Sequence, residues 1–442
     1  MADNSPQNGN SFNAKNQENN NEKAGIQSNL QAISKHTSSL LFLFFVIILI
    51  FSLCKYIKNH YNNLSEIIEN IHYEKKNRNK SNYTNMIYPR YYHSATKLDD
   101  GNIIFIGGGS KFSEIYDIKT KKFIKGPECK YDRYMHNIVK LSDGNLLVIG
   151  GTDETNSNTE IRDIELYDWK KQKFFVLTQL NHQLFCPQSV VIDKNKILVI
   201  SPAISGSNKF SELPVIINLD LKKTQVINDF PEKFYSYFQE SIVPIKVDND
   251  IIFYKSKMGS KALPNLLWNG KTFKEINGFN MFDDAYVKIL PIGKNKIFYT
   301  RTVYSENNNS FFTRGSNFQM GIFDLKTNTN ENIFENKRDG KYLGFIPMAI
   351  TEISNSNIVI AGGRTYKLLS KTVFSKDIYM YKKNQNKIEK IGLLYKKTLR
   401  DFSVSEIDSD QLLICGGRIR NNQHKSGYEE TSKCQIIKYN KE

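Results

Sequence analysis

Residues 90–108 and 133–151 repeat each other: Arg90-Tyr-Tyr-His93…Asp100-Gly101-Asn-Ile-Ile-Phe-Ile106-Gly107-Gly108 and Arg133-Tyr-Met-His136…Asp143-Gly144-Asn-Leu-Leu-Val-Ile149-Gly150-Gly151. In both copies the first glycine of the pair lies 17 residues after the arginine and 14 after the histidine. Each copy continues into a Glu-x-Tyr-Asp stretch, at 114–117 and 165–168, and then into an aromatic stretch. A period of about 40–50 residues in an all-strand pattern indicates a repeat array.

The repeat resembles the kelch motif, which implies a β-propeller. Asp-Gly between two apolar runs permits the positive φ angles of a tight hairpin. The double glycine ends the second strand where no Cβ fits, so that neighbouring blades can approach closely. Aromatic residues of the third and fourth strands, such as Phe123 and Phe174, are expected to fill the wedge between blades.

The motif continues to the end of the chain, which predicts an all-β fold with seven kelch-type blades. Copies six and seven restore the double glycine, at Gly362-Gly363 and at Gly416-Gly417, whereas copies three to five retain only the apolar strands. Copy seven has no room for a fourth strand after Tyr439, and an open sheet edge would be a pairing liability. We therefore predict that a strand from about residue 80 to 85 completes the last blade.

The N-terminal part of the chain predicts three further segments before the propeller at 80–442. Residues 1–36 are rich in Asn, with nine among the first 30, and are predicted to be a disordered tail. Residues 37–57 begin with an uncharged apolar run, which favours one transmembrane helix and hence the lipid bilayer as a partner. A signal peptide is the weaker alternative because no small-residue cleavage site follows. Residues 58–79 are predicted to be a polar, partly helical stalk.

The charge of the chain gives limited information about its partners. The net charge is +16, which favours acidic partners, yet no nucleic-acid-binding motif accompanies it, so we exclude nucleic acid. The lysines that flank 37–57 do not fix the side of the membrane on which the propeller lies. Lone packed thiols are expected for the five cysteines, although Cys415 and Cys434 share copy seven and could pair.

No catalytic or metal-binding pattern is present in the sequence. His93 and His136 occupy the same repeat position, which favours structural hydrogen bonds over metal ligation. Copper-radical oxidases of the galactose oxidase kind share the fold, but the Tyr-His pair they require occurs here only at Tyr92-His93, a repeat position. The sequence therefore predicts a non-enzymatic protein without cofactor or metal.

Arginines recur where kelch interaction domains place their binding face. By this resemblance, three arginines precede first strands and two follow the double glycine. One more arginine lies within a residue or two of the corresponding point in a degenerate copy. The candidate binding residues are Arg90, Arg133, Arg400, Arg364, Arg418 and Arg301. For Arg90 and Arg133 a structural role in the motif is favoured slightly.

Two functions follow from these arginines. The first is a membrane-tethered interaction module for an acidic protein or peptide, since guanidinium groups bind carboxylates in bidentate fashion. The second is a carbohydrate-binding or sugar-mutarotase-like propeller that takes an acidic sugar.

Overall fold

The computed structural model describes residues 23, 25–29, 37, 42–57, 81–153, 161–201, 213–231, 241–256, 265–276, 285–293, 295–304, 316–336, 346–366, 372–421, 423–424 and 426–439. Statements about structure concern these residues. The chain divides into two units, Met1–Asn79 and Lys80–Glu442, which are considered separately.

The first unit contains helical residues at 25–29 and at 42–57. At a rise of about 1.5 Å per residue, a helix over 42–57 extends about 24 Å, whereas the bilayer core is about 30 Å thick. Within the described part of the chain, no helix is long and apolar enough to cross a membrane. The predicted transmembrane helix over 37–57 is therefore not supported. The predicted stalk at 58–79 and most of the predicted tail at 1–36 lie outside the described residues.

The second unit is a seven-bladed propeller, as predicted. Each blade is a four-stranded antiparallel sheet. Blade 1 comprises β2 (Ser94–Lys97), β3 (Ile103–Ile106), β4 (Phe112–Asp117) and β5 (Lys122–Glu128). Blade 2 comprises β6 (Asn137–Lys140), β7 (Leu146–Ile149), β8 (Asp163–Asp168) and β9 (Lys173–Gln179). Blade 3 comprises β10 (Gln188–Asp193), β11 (Lys196–Ile200), β12 (Val215–Asn218) and β13 (Lys223–Val226).

Blades 4 to 6 follow the same order, although their sequence motif is weaker. Blade 4 comprises β14 (Ser241–Val247), β15 (Asp250–Ser256), β16 (Asn265–Trp268) and β17 (Phe273–Ile276). Blade 5 comprises β18 (Ala285–Pro291), β19 (Lys296–Tyr304), β20 (Ser316–Asp324) and β21 (Thr329–Asn336). Blade 6 comprises β22 (Ile346–Glu352), β23 (Ile358–Tyr366), β24 (Thr372–Lys382) and β25 (Lys387–Leu393).

Blade 7 is closed from both ends of the unit, which confirms the predicted closure. It comprises β26 (Ser403–Asp408), β27 (Gln411–Cys415), β30 (Lys433–Lys438) and β1 (Ser81–Asn85), with β1 hydrogen-bonded to β30 at the outer edge. A small hairpin, β28 (Arg418–Arg420) and β29 (Tyr428–Glu430), lies between β27 and β30 in the chain.

The apolar residues at the centre of each second strand are buried on both faces. In β3, Ile103 and Phe105 pack in a cluster with blade 7, whereas Ile104 and Ile106 pack in a cluster with blade 2. Successive side chains of a strand point to opposite faces, so one strand serves two interfaces. Seven such clusters, one between each pair of adjacent blades, form the core among the described residues.

The two glycine positions of the motif have the predicted roles. Gly101 adopts φ +88 in the turn between β2 and β3, a conformation that favours glycine. At Gly107 an added Cβ would lie 2.1 Å from the backbone oxygen of Arg133 in the next blade. The double glycine thus permits the close approach of neighbouring blades.

Candidate functional site

Arg90 is fully buried inside blade 1. Its Nε donates to Oε1 of Glu114 at 2.8 Å, and its Nη1 donates to the carbonyl of Gly107. Both side chains have 0% exposure. Glu114 in turn accepts the backbone N–H groups of Ile87 and Tyr88. The arginine is therefore bonded within the blade and is not exposed to a ligand in solution.

Arg133 makes the same set of contacts in blade 2. Nε and Nη2 donate to Oε2 of Glu165, at 3.1 and 2.9 Å. Nη1 donates to the carbonyl of Gly150 and Nη2 to that of Asp163. Oε1 of Glu165 accepts the backbone N–H of Lys130. Arg90 and Arg133 thus have the structural role that the sequence favoured slightly, and we leave both out of the candidate site.

Arg400 occupies a different repeat position from Arg90 and Arg133, contrary to the alignment made from sequence. Arg400 and Arg418 form an isolated antiparallel bridge, and the equivalent bridge of blade 2 joins Tyr134 and Thr152. Arg400 therefore corresponds to Tyr134, and Leu399 corresponds to Arg133. This offset of one repeat position was not predicted, because copy seven was aligned on its arginine rather than on its double glycine.

Arg418 and Arg400 are the two predicted arginines that the structure brings together. Arg418 donates from Nε and Nη2 to Oδ2 of Asp401, at 3.0 and 2.8 Å. Arg400 Nε lies 3.5 Å from the same oxygen, beyond good hydrogen-bond geometry. The two side chains are 22% and 21% exposed. Asp401 thus orients Arg418 and is close to Arg400.

Tyrosine rings hold both guanidinium groups. The Arg400 guanidinium carbon lies 3.6 Å from the ring centre of Tyr428, and that of Arg418 lies 4.3 Å from Tyr91 and 4.8 Å from Tyr92. Contacts of this kind are cation–π interactions. We call the following six residues the Arg–Tyr cluster: Tyr91, Tyr92, Arg400, Asp401, Arg418 and Tyr428.

One donor of the cluster forms an ion pair but makes no hydrogen bond. The Nε atom of Arg400 is buried and has no hydrogen-bond partner among the described residues. A buried donor without a partner is costly, by about 1–3 kcal/mol.

The charges of the cluster shift two pKa values. Burial alone would lower the pKa of Arg418, but its hydrogen bonds to Asp401 and the charge of that carboxylate raise the pKa overall. Burial raises the pKa of Tyr92, and the negative charge of Asp401 raises it further. Arg418 therefore remains a cation and Tyr92 a neutral phenol near neutral pH.

A left-handed backbone residue precedes the first strand in four blades. Tyr92, Met135, Cys186 and Asp401 have φ of 50, 55, 43 and 59. The N–H of Tyr92 donates to the carbonyl of Asp401, and that of Met135 to the carbonyl of Tyr92, each at 3.2 Å. Left-handed backbone is uncommon in residues other than glycine. Because it recurs, it belongs to the repeat geometry, and it is what brings Asp401 next to Tyr92.

The two repeat histidines make the structural hydrogen bonds that were predicted. Nε2 of His93 lies 2.9 Å from Ser403 Oγ in blade 7, and Nε2 of His136 lies 2.9 Å from Ser94 Oγ in blade 1. Burial, followed by the charge of a neighbouring arginine, lowers the pKa of each histidine to about 3. Both rings are neutral at physiological pH and tie adjacent blades together.

The remaining two arginines are not placed in the cluster. Arg301 lies on β19 and Nη1 donates to Oε1 of Gln319 in its own blade, at 3.3 Å. Arg364 lies on β23, where its backbone pairs with Ile346 and Phe374. The side chain of Arg364 lies outside the described residues.

Cys415 and Cys434 form a disulfide, which corrects the expectation of free thiols. The two residues face each other directly across β27 and β30, with Cα atoms 4.1 Å apart. The enclosed loop carries the β28–β29 hairpin, including Arg418 and Tyr428. The sequence placed both cysteines in copy seven but did not show the register that sets them opposite each other. Cys54, Cys129 and Cys186 are free.

The chain is thus a seven-bladed β-propeller in which residues before blade 1 and residues of blade 7 form a basic, aromatic cluster. No protein-family model and no curated protein matches the chain. The chain is similar to the structure of a novel fungal alcohol oxidase with catalytic diversity among the AA5 family, in complex with copper. The TM-score is 0.54 and the identity 12%, over 81% of this chain and 76% of that chain. At this identity the likeness shows the fold alone, and the kelch family is not shown.

The described residues show no cluster of the usual metal-ligating side chains. Across the ranges that the structure describes, no group of three or more His, Cys, Asp or Glu side chains is placed to hold a metal ion. In the Tyr92-His93 pair, the histidine is committed to Ser403 and the tyrosine packs with Arg418. We therefore derive no copper chemistry for this protein.

Proposed function

We propose that the chain is a kelch-type interaction propeller that binds an acidic protein or peptide through the Arg–Tyr cluster. The observation that carries the proposal is the pair of partly exposed guanidinium groups of Arg400 and Arg418, which tyrosine rings hold close to each other, with the Arg400 Nε making no hydrogen bond among the described residues. Arg400 is the principal ligand residue, because Arg418 is already bonded to Asp401. A carboxylate bound by Arg400 would accept a charge-assisted hydrogen bond, the stronger kind in proteins.

The cluster is organised before a ligand arrives. Tyr428 stacks on Arg400, and Tyr91 and Tyr92 flank Arg418, so few rotamers are lost on binding. Asp401 offsets the repulsion between the two guanidinium groups. The role we infer is binding rather than catalysis, since a guanidinium orients an anion without itself taking up or releasing a proton.

A second candidate function is the binding of an acidic sugar outside the reducing cytosol. The Cys415–Cys434 disulfide favours it, because structural disulfides persist mainly in oxidising compartments. Tyrosine faces and arginine would then contact the ring and the carboxylate of a uronic acid. The lipid bilayer as a partner of 37–57 stays a prediction, which sedimentation of the full-length chain with membranes would test.

The proposal is tested by titrating the full-length chain with an oligo-glutamate peptide and with the matching oligo-glutamine peptide. Binding is expected for the acidic peptide alone. Arg400→Ala should weaken it by about 1–3 kcal/mol, the range for a charged hydrogen bond. Arg420→Ala is the matched control, because Arg420 is an exposed arginine on the same hairpin outside the cluster.

Three outcomes are decisive. Equal losses for the Arg400 and Arg420 variants would mean that only net charge matters, and the site would be wrong. Binding of galacturonate in preference to galactose, with no binding of the peptide, would favour the second function. Binding of neither acid would overturn both.

A further inference from the structure

The turns between the third and fourth strands of the blades carry exposed lysines. In each of blades 1 to 6, the turn or the first residue of the fourth strand includes at least one exposed lysine. Blades 1 and 2 have three each: Lys119, Lys121, Lys122, Lys170, Lys171 and Lys173. Lysine carries its charge at the end of a flexible four-carbon stem. The turns therefore place cations repeatedly around the propeller.

All of these turns lie at one end of the blades. Because neighbouring strands of a blade are antiparallel, the turn after the first strand and the turn after the third strand are at the same end. Hydrogen bonds join the two turns, from the N–H of Ile118 to Asn102 Oδ1 in blade 1 and from that of Trp169 to Asn145 Oδ1 in blade 2. We call this end the lysine face. The Arg–Tyr cluster is formed by residues before first strands and after a second strand, which lie at the opposite end.

The carboxylates of the lysine face are used within its turns. Asp117 Oδ1 accepts the N–H groups of Lys119 and Thr120, and Asp143 Oδ1 accepts that of Asn145. These short side chains are thus held against the backbone of their own turns, whereas the lysine stems are exposed. The ammonium groups are therefore the outermost charges of the turns.

The chain enters the propeller at the lysine face. Ser81, the first residue of β1, pairs with Ile437 near the end of β30, and the N–H of Tyr439 donates into the turn after β26. The preceding part of the chain includes the helical residues 42–57, whose large apolar side chains are exposed; Phe51 is 74% exposed. Transfer of such side chains from water into a lipid interface is favourable. An apolar segment therefore precedes the strand that begins at the lysine face.

We propose that the lysine face binds the anionic surface of a lipid membrane. Cations spread over the turns of several blades suit an extended anionic surface, because attraction of this kind is electrostatic and needs no convergent geometry. The exposed apolar segment in the same chain favours a lipid surface over a nucleic acid as the source of the negative charge. This surface is additional to the peptide-binding function, which uses the opposite end of the blades and would face away from the membrane.

The test measures cosedimentation of the full-length chain with two kinds of vesicle. One kind consists of phosphatidylcholine alone, and the other of equal parts of phosphatidylcholine and phosphatidylserine. We expect the wild-type chain to bind the anionic vesicles at least about tenfold more tightly than the neutral ones. A salt concentration of about 1 M should remove the difference, because it shortens the Debye length to about 3 Å.

The test variant removes four cations of the lysine face: Lys119→Gln, Lys122→Gln, Lys170→Gln and Lys173→Gln. Its preference for anionic vesicles should fall about tenfold or more, because each lysine near the surface adds to the attraction. Its binding to neutral vesicles should not change. Lys171 is kept because its Nζ pairs with Asp168. A companion variant with arginine at the same four positions keeps the charge and should bind as the wild type does.

The matched control removes four exposed cations at the opposite end: Lys111→Gln, Lys396→Gln, Lys397→Gln and Arg420→Gln. It should keep the preference for anionic vesicles. The proposal is overturned if the two glutamine variants lose affinity equally, or if the wild-type chain binds both kinds of vesicle equally or neither. Binding of a DNA duplex through the same four lysines, without a preference for anionic vesicles, would assign the face to nucleic acid and would also overturn it.

Discussion

Blades 2 and 7 both link the loop before the first strand to the third strand, but they do so with different side chains. In blade 2 a buried Arg133–Glu165 ion pair links the loop before the first strand to the third strand. In blade 7 the equivalent positions hold Leu399 and Gln435, which are equally buried but neutral. Gln435 Oε1 accepts the backbone N–H of Tyr395, as Glu165 Oε1 accepts that of Lys130.

This difference at the motif position shows which arginines reach the surface and which are used inside a blade. Where the motif position holds arginine, its guanidinium is used inside the blade. Where it holds leucine, the arginines lie one position later, at Arg400, and after the double glycine, at Arg418. There they reach the surface and stack on tyrosines. The departure from the motif, rather than the motif itself, marks the candidate site.

The largest expected effect comes from giving blade 2 the leucine of blade 7. Arg133→Leu leaves Glu165 buried at 1% exposure without its counter-charge. We expect the free energy of unfolding to fall by about 3–5 kcal/mol, the usual cost of breaking a buried pair from one side. Urea unfolding followed by the fluorescence of Trp169, on the same blade, measures it.

The double variant Arg133→Leu, Glu165→Gln carries the complete blade 7 pair and is the control. It should recover most of the lost stability, because neither position then holds a buried charge and the glutamine still accepts the Lys130 N–H. A double variant as unstable as the single one would show that the two blades are not interchangeable at these positions.

A smaller effect is expected from the disulfide, which blade 7 has and blade 2 lacks. Cys415→Ala together with Cys434→Ala opens a loop with a sequence separation of 19, which should lower the free energy of unfolding by about 3 kcal/mol. A reducing agent should lower the melting temperature of the wild-type chain and leave that of the double variant unchanged. Five titratable thiols in the untreated, denatured protein would contradict the prediction.

The smallest effect is the pH dependence that the repeat histidines of blades 1 and 2 contribute; blade 7 has Phe402 at the equivalent position. The pKa of His136 is lowered to about 3 in the folded chain from 6.5, so the unfolded chain binds more protons between these values. The contribution of His136 to the free energy of unfolding is thus fully present above pH 6.5 and is lost as the pH falls toward 3. His136→Phe should reduce the slope by about 1.4 kcal/mol per pH unit. Urea unfolding at pH 4.5 to 7.5 measures it; an unchanged slope would refute it.

Much of the fold could be predicted because a repeat states its pattern several times. The double glycines at 107–108 and 150–151 marked the ends of second strands, and the absence of a fourth strand after Tyr439 indicated closure by β1. The candidate site was predicted only in part. Arg418 and Arg400 were named and are partly exposed, whereas Arg90 and Arg133 were named with them although their guanidinium groups are buried.

The sequence by itself determined the seven blades, their strand order and the closure of the ring, because periodic apolar strands and glycine turns are local patterns. Only the tertiary structure decided which arginines are exposed, that Cys415 faces Cys434, and that Tyr91 and Tyr428 hold the guanidinium groups. These facts depend on register between strands distant in the chain. An arginine that lies one repeat position later is a surface cation instead of a member of a buried ion pair. The composition of the chain does not show which of the two positions an arginine occupies.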